Sequence, residues 1–196
     1  MSNSNPIDPA PPSKQLVKQS RFLSHVLRHN PDRVGVALDP AGWVDVDVLL
    51  TALAAHRHPM SRAQLDRVVA ENDKQRFSFD STDTRIRANQ GHSVPVDLGY
   101  ADAEPPARLY HGTHPGAMAA IHREGLRPMR RHAVHLSADR ATATRVGARR
   151  GRPVVLTVDS AGMAADGHRF RVSANGVWLT DAVPPQYLGS TSATCE

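Results

Sequence analysis

The chain has 196 residues, of which 40% are hydrophobic, enough for one large domain or two small ones. No apolar run approaches the roughly 20 residues that cross a bilayer, and the opening MSNSNPIDPAPPSK lacks the basic-then-apolar order of a secretion signal. The formal charge is +5, and the one cysteine, Cys195, excludes an internal disulfide and a cysteine-based metal site, so a cytoplasmic protein is expected.

Residues 1–13 read as a disordered tail rich in proline and serine. Lys14 to His29 is predicted as an amphipathic helix, with Leu16, Phe22, Leu23, Val26 and Leu27 at helical spacing. Asn30-Pro31 stops it, because a residue before proline avoids the helical region. Val34 to Leu38 has β character, Asp39 to Gly42 is a turn, and Trp43-Val44 resumes the strand pattern. Asp45 can cap a second helix to about Ala55, and Ser61 with Gln64 makes a capping box for a third. Arg76–Asp80 and Arg85–Gln90 read as a hairpin. Three helices closed by a hairpin form the order of a winged-helix lobe, assigned to 14–93.

Residues 94–106 carry prolines and acids without periodicity and read as a linker. In 107–188, Leu109-Tyr110 predicts a strand leading to His111-Gly112-Thr113. Pro115–Glu124 predicts a helix with Gly125 at its end. Ala133–Leu136, Val154–Val158, Arg169–Val172 and Val177–Leu179 read as strands, and Asp139–Arg149 as helical. A mixed α+β lobe with several strands in one curved sheet is expected. Residues 189–196 read as a frayed tail.

Familiar chemical signatures are missing: there is no GxxxxGK[ST] loop, no HExxH and no GxSxG elbow. His25 and His29, four apart on a helix, lack an obvious third metal ligand. His111 with His114 and His132 with His135 are weaker versions of the same pattern, so no metal is expected. Lysine occurs only at 14, 18 and 74; the arginine-dominated charge fits a phosphate ligand as well as it fits a GC-rich genome. Taken singly, Arg28-His29 at a helix end, Arg76 on a strand and Arg130-Arg131-His132 in a turn are ordinary exposed cations.

Eight strings nevertheless occur together: SRFLSHVLRHNP, GWVDVDVLL, KQRFSFD, IRANQGHS, LYHGT, HAVHLSAD, GVWLT and PPQYL. In this order and spacing, from about Gln19 to Leu188, the chain resembles the tRNA 2′-phosphotransferases of the KptA type. The resemblance implies an α+β fold with an N-terminal winged-helix lobe and a C-terminal ADP-ribosyltransferase-like lobe. It implies catalytic roles for Arg28, His29, Arg76 and Arg131, Arg131 being preferred to Arg130 for its distance from His135. It implies an NAD site at His111, Gly112, Thr113, His135, Leu136 and Ser137. That site extends to Arg140, Thr144, Val146 and Gly147, with Asn175, Gly176 and Val177 on the nicotinamide side. The expected partner is RNA bearing an internal 2′-phosphate, acted on by a monomer, with NAD consumed as co-substrate. Many ADP-ribosyltransferases carry a glutamate after this last strand; here Asp181 follows GVWLT. Two other readings remain: ADP-ribosylation of another acceptor, such as a terminal phosphate of RNA or DNA or a small molecule, since Arg28, His29 and Arg76 speak for a phosphate but not for its position; and an NAD-sensing winged-helix binding protein, which would not need the arginine-histidine set split between lobes.

Overall fold

The computed structural model describes residues 13–71 and 75–189. Most of the expected tails, 1–12 and 190–196 with Cys195, lies outside the described residues. The molecule is mixed α/β, with six α-helices and three small antiparallel sheets among the described residues.

Helix α1, Lys14–His29, starts where Ser13 Oγ accepts from Leu16 N, and Leu16, Leu23, Val26 and Leu27 are buried along one face. After Asn30 the expected strand at Val34–Leu38 does not form. Asn30 Oδ1 accepts from Arg33 N, and Pro31 occupies the first position of a short 3-10 turn, Pro31–Val34. Gly35, at φ 67°, then ends that turn in a left-handed conformation. Val34 and Val36 still enter the core. Strand β1, Val44–Asp45, leads into α2, Val46–Ala55, capped by the Asp45 carboxylate. The Ser61–Gln64 capping box opens α3, Arg62–Ala70. Strands β2, Phe77–Phe79, and β3, Arg85–Ala88, complete a sheet of order β1-β3-β2. Leu23, Leu27, Leu49, Leu53, Leu65 and Ile86 are among the fully buried side chains of this first hydrophobic cluster.

Residues 94–106 hold no helix or ladder strand, yet they are tied down at both ends. Asp97 N donates to Pro40 O, and the Arg87 guanidinium donates to Leu98 O while lying 4.4 Å above the Trp43 ring. Further on, Ala103 N donates to Phe170 O, and the Asp102 carboxylate pairs with Arg169.

The second hydrophobic cluster gathers Leu109, Leu136, Leu156, Val158, Met163 and Phe170. Its strands are β4, Arg108–Thr113; β5, Val134–Leu136; β6, Val154–Asp159; β7, Arg171–Val172; β8, Trp178–Thr180; and β9, Leu188–Gly189. Its helices are α4, Met118–Glu124; α5, Arg140–Gly147; and α6, Ser160–Ala165. The strands make two sheets, β4-β6-β9 and β5-β8-β7, rather than the one curved sheet expected. A single bridge, Tyr110 to Ser137, joins them through two backbone hydrogen bonds of 2.8 and 2.9 Å. Gly189, expected to be frayed, pairs with Thr157 in β9.

Candidate active site

The last turn of α1 carries Arg28 and His29. A helix end leaves carbonyls without intrahelical partners, and here the segment after β3 supplies them: Ser93 N donates to Arg28 O at 2.8 Å and Val94 N at 3.4 Å. Ser93 also reaches the neighbouring side chain, its Oγ lying 3.0 Å from His29 Nδ1. Arg28 is only 9% exposed. Its Nη2 donates to Arg76 O at 3.3 Å, and its Nε, also buried, has no partner among the described residues. Burial first, then the charges of Arg76 and Arg131, bring the Arg28 pKa down to about 10. His29 is exposed, and burial of part of its ring, then His25, Arg28 and Arg131, lower its pKa below the ordinary histidine value.

Arg76 enters from the start of β2. Its Nη1 donates to Ser20 Oγ at 3.2 Å, while Asn89 N donates to its carbonyl at 2.8 Å. Buried Asn89 also donates from Nδ2 to Gln75 O at 2.7 Å, so one side chain fixes the backbone on which Arg76 sits.

The second cluster contributes Arg131 and two histidines. Arg131 Nη1 approaches His135 Nδ1 at 3.4 Å. A guanidinium can only donate, so this contact favours a lone pair on Nδ1, while a hydrogen bond to the Ala133 backbone favours a proton on the ring. The His135 Nε2 is buried and has no partner among the described residues. Burial, then Arg131 and Arg28, bring the His135 pKa down to about 3, which keeps the ring neutral. His135 O in turn accepts from His111 Nδ1 at 3.1 Å. A carbonyl only accepts, so His111 Nδ1 bears a proton and its Nε2 is left to face other groups. Burial also lowers the His111 pKa, with the His135 carbonyl opposing and Arg131 reinforcing the shift.

The two clusters meet at Gly91. A methyl group there would stand 3.7 Å from Arg28 Nη1 and 3.9 Å from His135 Nε2. Arg28, Arg76, His29, Arg131, His135 and His111 therefore form one connected neighbourhood, and the charge of Arg131 is felt at Arg28, His29, His111 and His135.

The remaining expected residues divide. Gly112 and Gly147 serve backbone packing: a Cβ on Gly112 would fall 1.8 Å from Ala143 O, and one on Gly147 2.7 Å from Thr113 O. They let α5 lie directly on β4, which brings that helix beside His111 and buried Thr113. Leu136 is a core residue, and Ser137 forms the bridge to Tyr110. Arg140 spreads over the Tyr110 ring at 5.7 Å and donates to Thr157 Oγ1 at 3.4 Å. Thr144 Oγ1 bonds its own helix at Arg140 O, and Val146 is exposed. Asn175 accepts from Ser173 Oγ, and Gly176, at φ 74°, and Val177 complete the turn between β7 and β8. Asp181 forms an ion pair with Arg171 at 2.8 Å.

Sequence reading assigned no role to Ser20, Asn89, Gly91, His92 or Ser93. Four of these lie in or beside IRANQGHS, whose in-register recurrence was the available signal. His92 is 3% exposed, and neither ring nitrogen has a partner among the described residues. Burial, then Arg28, brings its pKa down to about 4.

The family model described as RNA 2′-phosphotransferase, Tpt1/KptA family, matches residues 14–182. The chain belongs to this family. It is 60% identical over 182 residues to a protein of Streptomyces griseus described as a probable RNA 2′-phosphotransferase, covering 89% of this chain and 96% of that protein. A Streptomyces coelicolor protein of the same description is 60% identical over 175 residues, covering 89% and 95%. One from Flavobacterium johnsoniae is 49% identical over 169 residues, covering 86% and 93%. The matched residues thus take in the first hydrophobic cluster, the second except for its C-terminal members from Val183 on, and every residue of the neighbourhood around Arg28.

Proposed function

We propose that this family member is an NAD-dependent RNA 2′-phosphotransferase, with a winged-helix lobe at 14–93 and an ADP-ribosyltransferase-like lobe at 107–188. The observation that carries this reading is the convergence of Arg28, His29 and Arg76 from one hydrophobic cluster with Arg131 from the other. Like charges gathered around a buried guanidinium are unfavourable until an anion joins them. A phosphomonoester dianion meets that need with charge-assisted hydrogen bonds.

The donor set also suits NAD. His135 Nε2 is a buried ring nitrogen with no partner among the described residues, and such an orphan costs about 1–3 kcal/mol until a ligand supplies one. His111, bonded to the His135 carbonyl, is the proposed NAD-side group together with Thr113 and Ser137, and Arg140, over the Tyr110 ring, is the proposed cation for the pyrophosphate. Asn175 to Val177 are the proposed nicotinamide-side residues. NAD supplies an electrophilic ribosyl carbon and a leaving group, nicotinamide.

Two steps follow. The RNA 2′-phosphate, held by the three arginines, attacks the ribosyl C1″ and nicotinamide leaves. No carboxylate base is needed, because the nucleophile is already anionic. That is consistent with Asp181 being engaged by Arg171. Attack by the adjacent O2″ hydroxyl on phosphorus, with its proton lost to water, then releases RNA with a 2′-OH and ADP-ribose 1″,2″-cyclic phosphate. Arg28, Arg76 and Arg131 stabilise the charge that grows on the phosphorus oxygens, and His29 delivers a proton to the departing O2′.

The test is incubation with NAD and an RNA bearing one internal 2′-phosphate, with products separated by mass. Nicotinamide, 2′-OH RNA and the cyclic phosphate are expected. Product from a 5′-phosphate end in preference to the internal one would move the reading to a different phosphate acceptor.

A further inference from the structure

Helix α1 contains no aspartate or glutamate in its 16 residues. Its cationic and imidazole side chains are ordered: Lys14, Lys18, Arg21, His25 and His29 succeed one another at intervals of four, three, four and four. At about 100° per residue these five fall within an arc of roughly 80°. The arc is opposite the buried face of Leu16 and Leu23, and all five residues are exposed. At about 1.5 Å per residue the stripe is roughly 22 Å long. It ends at His29, inside the neighbourhood around Arg28.

Part of the charge elsewhere on the surface is compensated. Arg62, Arg67, Arg85, Arg123, Arg169 and Arg171 each hold a carboxylate within 3.5 Å. In α3 two such pairs sit four residues apart, the ordinary arrangement on a solvated helix. Lys14, Lys18 and Arg21 have no carboxylate partner among the described residues. The large exposed hydrophobics are Val48, Met129, Val146 and Val172, none of them on α1. The helix therefore lacks the apolar flank with which an amphipathic helix enters a lipid surface.

We propose that this stripe seats the single strand of RNA flanking the reactive 2′-phosphate, with successive backbone phosphates meeting Lys14, Lys18 and Arg21. This rests on the proposed phosphotransferase reading. The occupant follows from three features: a narrow line of cations without a carboxylate partner among the described residues, continuity with the arginines proposed to hold the phosphate, and the absence of an apolar flank. Phosphate contacts of this kind position a strand without reading its sequence. The stripe would then fix which direction the RNA leaves the site, and would make longer substrates bind better than short ones.

The test uses full-length protein with Lys14→Ala, Lys18→Ala and Arg21→Ala combined, and a second variant with glutamate at the same three positions. All three side chains are exposed, and an unchanged circular dichroism spectrum and melting temperature would verify folding. Binding of an unmodified single-stranded RNA is followed by fluorescence anisotropy against salt. Losing three contacts should flatten the salt slope by roughly 2, at about 0.7 per phosphate on a single strand. In turnover, KM for a long 2′-phosphorylated RNA should rise at least tenfold, while kcat and the KM of a 2′-phosphorylated dinucleotide stay unchanged. An unaltered slope in the glutamate variant overturns the proposal, as does equal loss on dinucleotide and long RNA. Binding of anionic phosphatidylserine vesicles in preference to RNA also overturns it. If the wild type releases no nicotinamide from either substrate, the phosphotransferase reading fails. The anisotropy slope needs neither NAD nor a 2′-phosphate, and it still decides the stripe.

Discussion

Ser93 holds the end of α1 in two ways, donating its backbone N–H to Arg28 O at 2.8 Å and placing its hydroxyl 3.0 Å from His29 Nδ1. In the proposed reaction the working form of His29 is the imidazolium. Its pKa is lowered, so the second step should slow as pH rises through a value below the usual 6.5. A hydroxyl accepting from Nδ1–H favours the charged ring. Ser93→Ala should move this alkaline limb to still lower pH, at roughly tenfold in rate per unit moved on its far side. Ser93→Thr, which keeps the hydroxyl, should restore it. Superimposable pH profiles for wild type and Ser93→Ala would show that Ser93 does not tune His29.

Arg76→Ala and Arg131→Ala should slow the second step more than the first. In the first step the phosphate already carries its charge and carbon is attacked. In the second, charge concentrates around phosphorus, and losing one preorganised donor costs on the order of 3 kcal/mol, roughly a hundredfold. ADP-ribosylated RNA should accumulate in both variants, whereas His111→Ala should slow the first step. The measurement is a single-turnover time course resolving substrate, intermediate and product. Slow substrate loss with no intermediate in either arginine variant would place the clamp in step one.

Acid should destabilise the protein through His92 and His135. Both are neutral in the folded state, at pKa values of about 4 and about 3. In the unfolded chain each takes a proton near 6.5, so the unfolded state binds more protons between those limits. Stability is therefore intact above about 6.5 and falls with acid, at about 1.4 kcal/mol per pH unit for each such group. His92→Leu removes one of them together with its unpartnered nitrogens. Urea denaturation should show the variant gaining more near pH 5 than near pH 8; an equal gain at both would contradict the linkage.

Gly112→Ala should be severe, because the new methyl would meet Ala143 O at 1.8 Å and neither backbone can withdraw easily. A loss of at least about 3 kcal/mol is expected from such overpacking. Gly176→Ala meets no atom within 4 Å but sits at φ 74°, so about 1 kcal/mol is expected from backbone strain alone. Thermal melting of the two variants side by side checks the contrast; similar losses would mean that close approach of α5 to β4 is not what Gly112 protects.

Elements with local punctuation were legible. Helix α1 runs over the residues its periodicity gives, and the Asp45 cap and the Ser61–Gln64 capping box start α2 and α3 as read. What failed depended on partners distant in sequence. Val34–Leu38 has strand composition, but no neighbouring strand takes it up, and Asn30 and Pro31 favour a helical turn. Helix α6 is short and rich in alanine, and β9 is two residues long, so neither carries a periodic signal. In the candidate site, the arginines and histidines were found through the pattern of whole strings. Ser93 and Asn89 escaped because their importance lies in hydrogen bonds to residues 64 and 14 positions away.

Arg76 O receives both Arg28 Nη2 and Asn89 N, so one carbonyl serves as a common bearing for two of the cations. The two cations are thereby braced against each other. Arg131 instead rides an exposed turn in which Met129 adopts φ 57° and is 88% exposed, held by its N–H on Pro128 O and its contact with His135. On the proposed reading a bulky polyanion would therefore bear on one buried, braced side, Arg28 with Arg76, and on one exposed side, the Arg131 turn.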